Sequence, residues 1–122
     1  MPIRFLLDEH LRGPLWLATQ HHNASGGLSL DVVRVGDPGD LPLQSDDPTI
    51  LLWAEREDRI LITEDKHTMP GHLVKHLQSG HHSPGVFNIS SGFSIGQLVA
   101  FLELAAHAGD PSDYADTITY IP

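Results

Sequence analysis

Short apolar runs along the chain predict a set of buried β-strands. The run at residues 60–62, Ile-Leu-Ile, has no polar alternation, which is typical of a strand covered on both faces of a parallel sheet. Further strands are predicted at residues 2–7, 28–35 and 86–89, and the pattern at residues 117–121 favours an edge strand. The segments between these runs are long enough to hold helices.

Helical patterns occupy the segments between the predicted strands. Leucines at helical spacing predict a short helix over residues 10–20, and another is expected over residues 72–77. Asp47 and Pro48 form a typical helix start, with Asp47 as the N-cap and Pro48 as the first helical residue. The longest helix is predicted over residues 95–107. Its buried stripe is predicted to consist of Ile95, Leu98, Val99, Leu102 and Ala106.

Strands that alternate with helices predict a fold of the α/β class. We expect a small three-layer domain with a mainly parallel central sheet, right-handed crossovers and helices on both faces. At 122 residues, the chain has the length of one domain, residues 1–122. It contains no apolar run of the ~20 residues that a membrane-spanning helix needs, and no signal-peptide pattern. We therefore expect a cytoplasmic protein without a membrane partner.

Acidic residues follow the predicted strands at their carboxyl ends. Asp8 and Glu9 come after the first strand, Glu64 and Asp65 come after residues 60–62, and Asp47 begins the intervening helix. In open α/β sheets, functional groups collect at this edge. Carboxylates drawn together repel one another, and Mg²⁺ or Mn²⁺, which prefers oxygen ligands, relieves that repulsion. The alternative is that these acids only cap helices and line loops.

Three segments of the chain resemble the short PIN-like domains, a family of unknown function. Residues 5–11 (FLLDEHL) are similar to the opening motif of that family, residues 47–54 (DPTILLWA) to its D-x-x-I-x-x-x-A helix, and residues 59–67 (RILITEDKH) to its T-x-D-x-D segment. The order and spacing of the three segments also agree. The wider PIN superfamily includes metal-dependent ribonucleases for single-stranded RNA, many of them toxins of toxin–antitoxin pairs.

The resemblance implies roles for the acidic residues. Asp8, Asp47 and Asp65 correspond to the catalytic acids that hold Mg²⁺ or Mn²⁺. Glu9 and Glu64 would be auxiliary residues. The implied partners are an RNA substrate and an antitoxin-like protein, and a homodimer is also compatible with the resemblance.

The chain departs from the family pattern near Asp65. His67 stands where the segment usually has its second acid, although an imidazole can bind Mn²⁺ or transfer a proton. Lys66 is a candidate for contact with a substrate phosphate, and the alternative is a solvated lysine. His72 and His76, four residues apart, are expected to share a solvated helix face.

Composition and these departures leave three functions open. The first is a PIN-like metal-dependent nuclease. The second is a catalytically impaired PIN-like module that binds or regulates through a protein partner, which the net charge of −9 favours because few cations are present to gather nucleic acid. The third is a phospho-acceptor receiver domain, which needs a lysine after a late strand, and residues 86–91 provide none.

Overall fold

Strands and helices alternate along the whole chain. The computed structural model describes residues 2–90 and 92–121. Its strands are β1 (Arg4–Leu7), β2 (Val32–Arg34), β3 (Arg59–Thr63), β4 (Val86–Ile89) and β5 (Ile118–Ile121). Its α-helices are α1 (Pro14–Ala24), α2 (Asp47–Glu57), α3 (Met69–Gln78) and α4 (Ile95–Ala108). A short 3₁₀ turn at Glu9–Leu11 follows β1, and another at Pro111–Asp113 precedes β5.

The five strands form one parallel sheet in the order β2-β1-β3-β4-β5. This confirms the predicted α/β class with a mainly parallel central sheet, and it confirms the edge strand near the end of the sequence. In this order the chain leaves β1 toward one side and then returns to build β3, β4 and β5 on the other side. The boundary between β1 and β3 is therefore the switch point, where open α/β sheets form their ligand crevices.

The sheet separates two apolar cores. On one face α1 and α4 cover Phe5, Leu7, Ile60, Ile62, Phe87 and Ile89. On the other face α2 and α3 cover Leu6, Leu61 and Val86. Alternate residues of each buried strand thus enter opposite cores, which explains why these strands lack polar alternation.

The predicted stripe of α4 is confirmed in four of its five positions. Leu98, Val99, Leu102 and Ala106 are buried against the sheet. The prediction is wrong for Ile95, the first residue of α4, whose exposed fraction is 41%. The burial of this helix begins in its second turn, where Leu98 enters the core. In the described ranges, no helix combines the length and the apolarity needed to cross a bilayer.

Several predicted boundaries are displaced. Helix α1 begins at Pro14 instead of residue 10, α3 begins at Met69 instead of residue 72, and β2 spans only Val32–Arg34 of the predicted residues 28–35. The N-cap of α2 is Asp46, whose side chain accepts a hydrogen bond from the backbone N–H of Thr49, and Asp47 is the first helical residue. Asp46 is the better cap because its backbone is extended while Asp47 already belongs to the helix. Helix α1 continues past Gln20 to Ala24, because Asn23 bonds to the backbone of Leu30 and holds the last turn in place.

Candidate functional site at the carboxyl end of the sheet

Three polar residues form a row across the carboxyl ends of neighbouring strands. Asp8, Thr63 and Asn88 each follow by two residues a core residue that faces α2 and α3, so the strand period directs them to that same face. The hydroxyl of Thr63 donates to Asp8 Oδ2 at 2.8 Å, and Thr63 pairs with Asn88 in the sheet. All three are buried, with exposed fractions of 9% or less. The sheet thus fixes a carboxylate, a hydroxyl and an amide side by side.

Asp65 lies just beyond β3 and is held by hydrogen bonds on both carboxylate oxygens. Its Oδ1 accepts from the backbone N–H groups of His67 and Thr68, both at 2.9 Å, and its Oδ2 accepts from the Thr68 hydroxyl. The Thr68 hydroxyl is the main reason why the pKa of Asp65 is lowered. Asn88 fixes the backbone here, because its Nδ2 donates to the carbonyl of Asp65 at 2.7 Å. Asp65 is therefore a fixed, charged carboxylate.

Asp47 reaches the same place from the first turn of α2. Its Oδ2 lies 3.5 Å from the hydroxyl of Thr68 and 3.7 Å from His72 Nε2. Burial raises the pKa of Asp47, and the negative charge of Asp8 and, more weakly, that of Asp65 raise it further, while His72 opposes the shift. The structure therefore brings the predicted acids Asp8, Asp47 and Asp65 within electrostatic reach of one another. We call this group the acidic edge.

The acidic edge suits a hydrated divalent cation better than a closed cage. Among the described residues, Asp8, Asp47 and Asp65 do not form a group whose ligand atoms all lie within 4.8 Å of one another. Mg²⁺ usually keeps several water ligands and takes only one or two carboxylates, so wider spacing is compatible with it. The Oδ1 atom of Asn88 is also buried, and it has no hydrogen-bond partner within residues 2–90 and 92–121. The potential metal ligands in this region are thus all oxygen atoms, and Asn88 Oδ1 is the one that lacks a hydrogen bond among the described residues.

The other predicted site residues take different positions. The carboxylate of Glu9 accepts from the backbone N–H of Gln44, so this side chain anchors the loop before α2. Glu64, Lys66 and His67 are exposed in the turn between β3 and α3. These three residues are therefore exposed to solvent in the turn that also holds Asp65.

Sequence reasoning missed the neutral members of this site. Thr63 and Thr68 position the carboxylates, and Asn88 holds the Asp65 backbone. The strand period contained the signal for Thr63 and Asn88, because both follow core residues by two positions. The prediction of a solvated face shared by His72 and His76 is wrong for His76, which is buried at the other end of α3, whereas His72 faces Asp47.

Comparisons with known proteins do not identify a family for this chain. No family model matches the chain, and no match was found among curated proteins or solved structures. The function proposed below therefore rests on the residues of the acidic edge and on the resemblance of three sequence segments.

Proposed function

We propose that this chain is a PIN-like nuclease that depends on Mg²⁺ or Mn²⁺ and cleaves single-stranded RNA in the cytoplasm. The observation that supports the proposal is the set of contacts that joins the three acids at the carboxyl end of the sheet: the Thr68 hydroxyl contacts Asp47 and Asp65, and the Thr63 hydroxyl bonds to Asp8 and to the backbone of Asp65. These acids come from the three segments that resemble the family. Segments far apart in the sequence thus contribute to one place, at the switch point of the sheet.

One or two of the carboxylates of Asp8, Asp47 and Asp65 would bind the cation directly, and the remaining acid would hold it through its water ligands. When bound, a divalent cation supplies a water of lowered pKa and offsets the charge that develops on a phosphodiester. The chain contributes orientation, because Thr63 fixes Asp8 and Thr68 fixes Asp65. Burial and, after it, repulsion from Asp8 raise the pKa of Asp47, and a cation would relieve that repulsion, so the acidic edge favours positive charge.

Substrate binding is expected to be weak and to depend on the cation. The chain has 16 acidic residues and 7 Lys and Arg, so its overall field repels a polyanion. Lys66, exposed next to Asp65 in the sequence, is the candidate for contact with a phosphate. If this nuclease is the toxin of a toxin–antitoxin pair, an antitoxin-like protein would bind it, and a homodimer is compatible with the same role.

The test is cleavage of a pool of single-stranded RNA oligonucleotides in Mg²⁺ and, separately, in Mn²⁺. We expect wild type to cleave, and Asp8→Asn and Asp47→Asn to lose at least ~100-fold in rate, because each loses a charged ligand. His67→Asp restores an acid where the family segment has one and should raise the Mg²⁺-dependent rate. Asp113→Asn, an exposed acid on the 3₁₀ turn before β5, is the matched control for the loss of one charge.

Two results would reject this mechanism. Cleavage that survives Asp8→Asn would place the chemistry elsewhere or assign it to a contaminant. Folded but inactive wild type and His67→Asp, in both metals, would favour the second function, a PIN-like module that acts through a protein partner. A receiver domain would have the same strand order as this sheet. It also needs a lysine after a late strand, but of the two lysines in the sequence Lys66 follows β3 and Lys75 lies within α3.

A further inference from the structure

A second group of polar side chains converges at the opposite end of the sheet. Glu55 lies near the end of α2, His76 lies in the last turn of α3, and His81 lies in the loop that leads to β4. Their ligand atoms all lie within 4.8 Å of one another, and among the described residues this is the one group of three with that property. We call Glu55, His76 and His81 the histidine cluster.

The ligand atoms of the histidine cluster are close enough together for one metal ion, although one pair is at hydrogen-bond distance. Glu55 Oε1 lies 2.9 Å from His76 Nε2 and 3.3 Å from His81 Nδ1. In a tetrahedral zinc site, bonds of about 2.0–2.1 Å separate the ligand atoms by about 3.4 Å. Two imidazoles and one carboxylate are a donor set that zinc uses when its fourth position holds water.

An unsatisfied oxygen points to a missing positive charge in this cluster. Glu55 Oε1 is buried, and in the described part of the chain no group donates a hydrogen bond to it. His76 Nε2 lies 2.9 Å from Glu55 Oε1 and also 2.9 Å from the carbonyl oxygen of His82, so without a metal its N–H donates to that carbonyl, and a bound metal ion would replace this proton. A buried carboxylate oxygen without a partner is costly, so the arrangement favours a cation between Glu55 and the two imidazoles.

Neighbouring residues hold these ligands in place. His82 donates its backbone N–H to Glu55 Oε2 at 3.3 Å, and its ring lies 3.1 Å from Asp116, which in turn accepts from the backbone of Ser83 at 2.7 Å. The side chain of His76 is only 4% exposed, while that of His81 is 44% exposed. One ligand is therefore fixed in the core, and the exposed one leaves access for solvent.

We propose that the histidine cluster is a binding site for Zn²⁺ or a similar transition-metal ion. The ligands are His76 Nε2, His81 Nδ1 and Glu55 Oε1, and water takes the fourth position. The ion joins the ends of α2 and α3 to the loop before β4. This site is independent of the proposed nuclease site, because Asp47 and Glu55 are eight residues apart in α2, about 12 Å of helix. Its nitrogen donors also select a different class of metal.

Metal titration of the chelator-stripped chain tests this site. We expect wild type to bind one equivalent of Zn²⁺ by calorimetry, and bound Co²⁺ to give the intense visible absorption of a four-coordinate ion. His81→Ala and Glu55→Gln should each weaken Zn²⁺ binding at least ~10-fold and abolish that absorption, because each removes a ligand. His21→Ala, which removes an exposed histidine of α1, is the control in a chain with nine histidines.

Specific results would overturn the proposal. Equal Zn²⁺ affinity in His81→Ala and wild type would show that other histidines bind the metal. Failure of folded wild type to bind an equivalent of Zn²⁺ would show that the histidine cluster is a hydrogen-bonded group and not a metal site. Circular dichroism checks the fold of each variant. Because His81 is exposed, we expect His81→Ala to remain folded. Asp8→Asn should bind Zn²⁺ as wild type does, which separates this site from the acidic edge.

Discussion

At the scale of single residues, Asp47 occupies a position that disfavours its own charge. The pKa of Asp47 is raised from 3.8 by burial and by the charge of Asp8. The folded state therefore holds the proton more tightly than the unfolded state, so this stabilisation is present below 3.8 and is lost as the pH rises through the raised pKa. Without divalent cations, Asp47→Asn should be more stable than wild type at pH 7, by no more than ~1 kcal/mol after solvent screening.

Urea denaturation in chelator at pH 7 and near pH 4 measures this effect. The advantage of Asp47→Asn should shrink toward the acidic end, since wild type then carries the proton that the variant mimics. Asp46→Asn is the neighbouring control, because its pKa is lowered by its bonds to Thr49 and asparagine caps a helix equally well. A variant less stable than wild type at pH 7 would mean that the hydrogen bonds of Asp47 outweigh the repulsion.

The acidic edge shows which residues a sequence pattern identifies. Asp8 and Asp65 were predicted because acids directly follow apolar strands, and strand ends in a parallel sheet meet. Asn88 was missed as a site residue because its role depends on which strand lies beside β3. The histidine cluster was also missed, since its members lie on α2, on α3 and in the loop before β4, and their contact depends on how these segments pack.

At the scale of elements, α4 depends on a few apolar positions. Leu98 is 3% exposed and lies in the core between α1, α4 and the sheet. Leu98→Ala should lower the free energy of unfolding by ~2–5 kcal/mol, because it leaves a cavity in that core. Leu104→Ala on the same helix is the control, since Leu104 is 65% exposed and its loss should cost under ~0.5 kcal/mol. Urea denaturation of both variants decides, and equal costs would make α4 peripheral.

The existence of the elements was more predictable than their ends. Apolar runs and the Asp-Pro start located the strands and α2 because these signals are local. The end of α1 was not predictable, because its last turn is held by His22, which lies 2.7 Å from Glu103 of α4, and by Asn23. Such partners belong to the tertiary fold, and a window of neighbouring residues does not contain them.

At the scale of the whole molecule, the charge of −9 should make stability sensitive to divalent cations. Mg²⁺ at millimolar concentration should raise the melting temperature of wild type by a few degrees, because an ion that binds only the folded state stabilises it. Asp8→Asn should lose most of this shift, whereas His81→Ala should keep it, since Mg²⁺ prefers oxygen ligands. Differential scanning fluorimetry with and without Mg²⁺ measures the difference.

General screening of the negative charge would give a different result. Asp113→Asn removes the same single charge at the other end of the sheet, so screening predicts equal Mg²⁺ responses for Asp8→Asn and Asp113→Asn. Equal responses would show that the acidic edge does not bind Mg²⁺ in a specific way.

The position of β5 has a consequence for biosynthesis. This strand completes the sheet by pairing with β4 along Val86–Ile89, yet it is the last strand to leave the ribosome. A nascent chain that has emerged only through α4 therefore leaves the backbone N–H and C=O groups on that edge of β4 unpaired, which allows pairing with other nascent chains. Chaperone capture during that interval is therefore expected to raise the yield of folded protein.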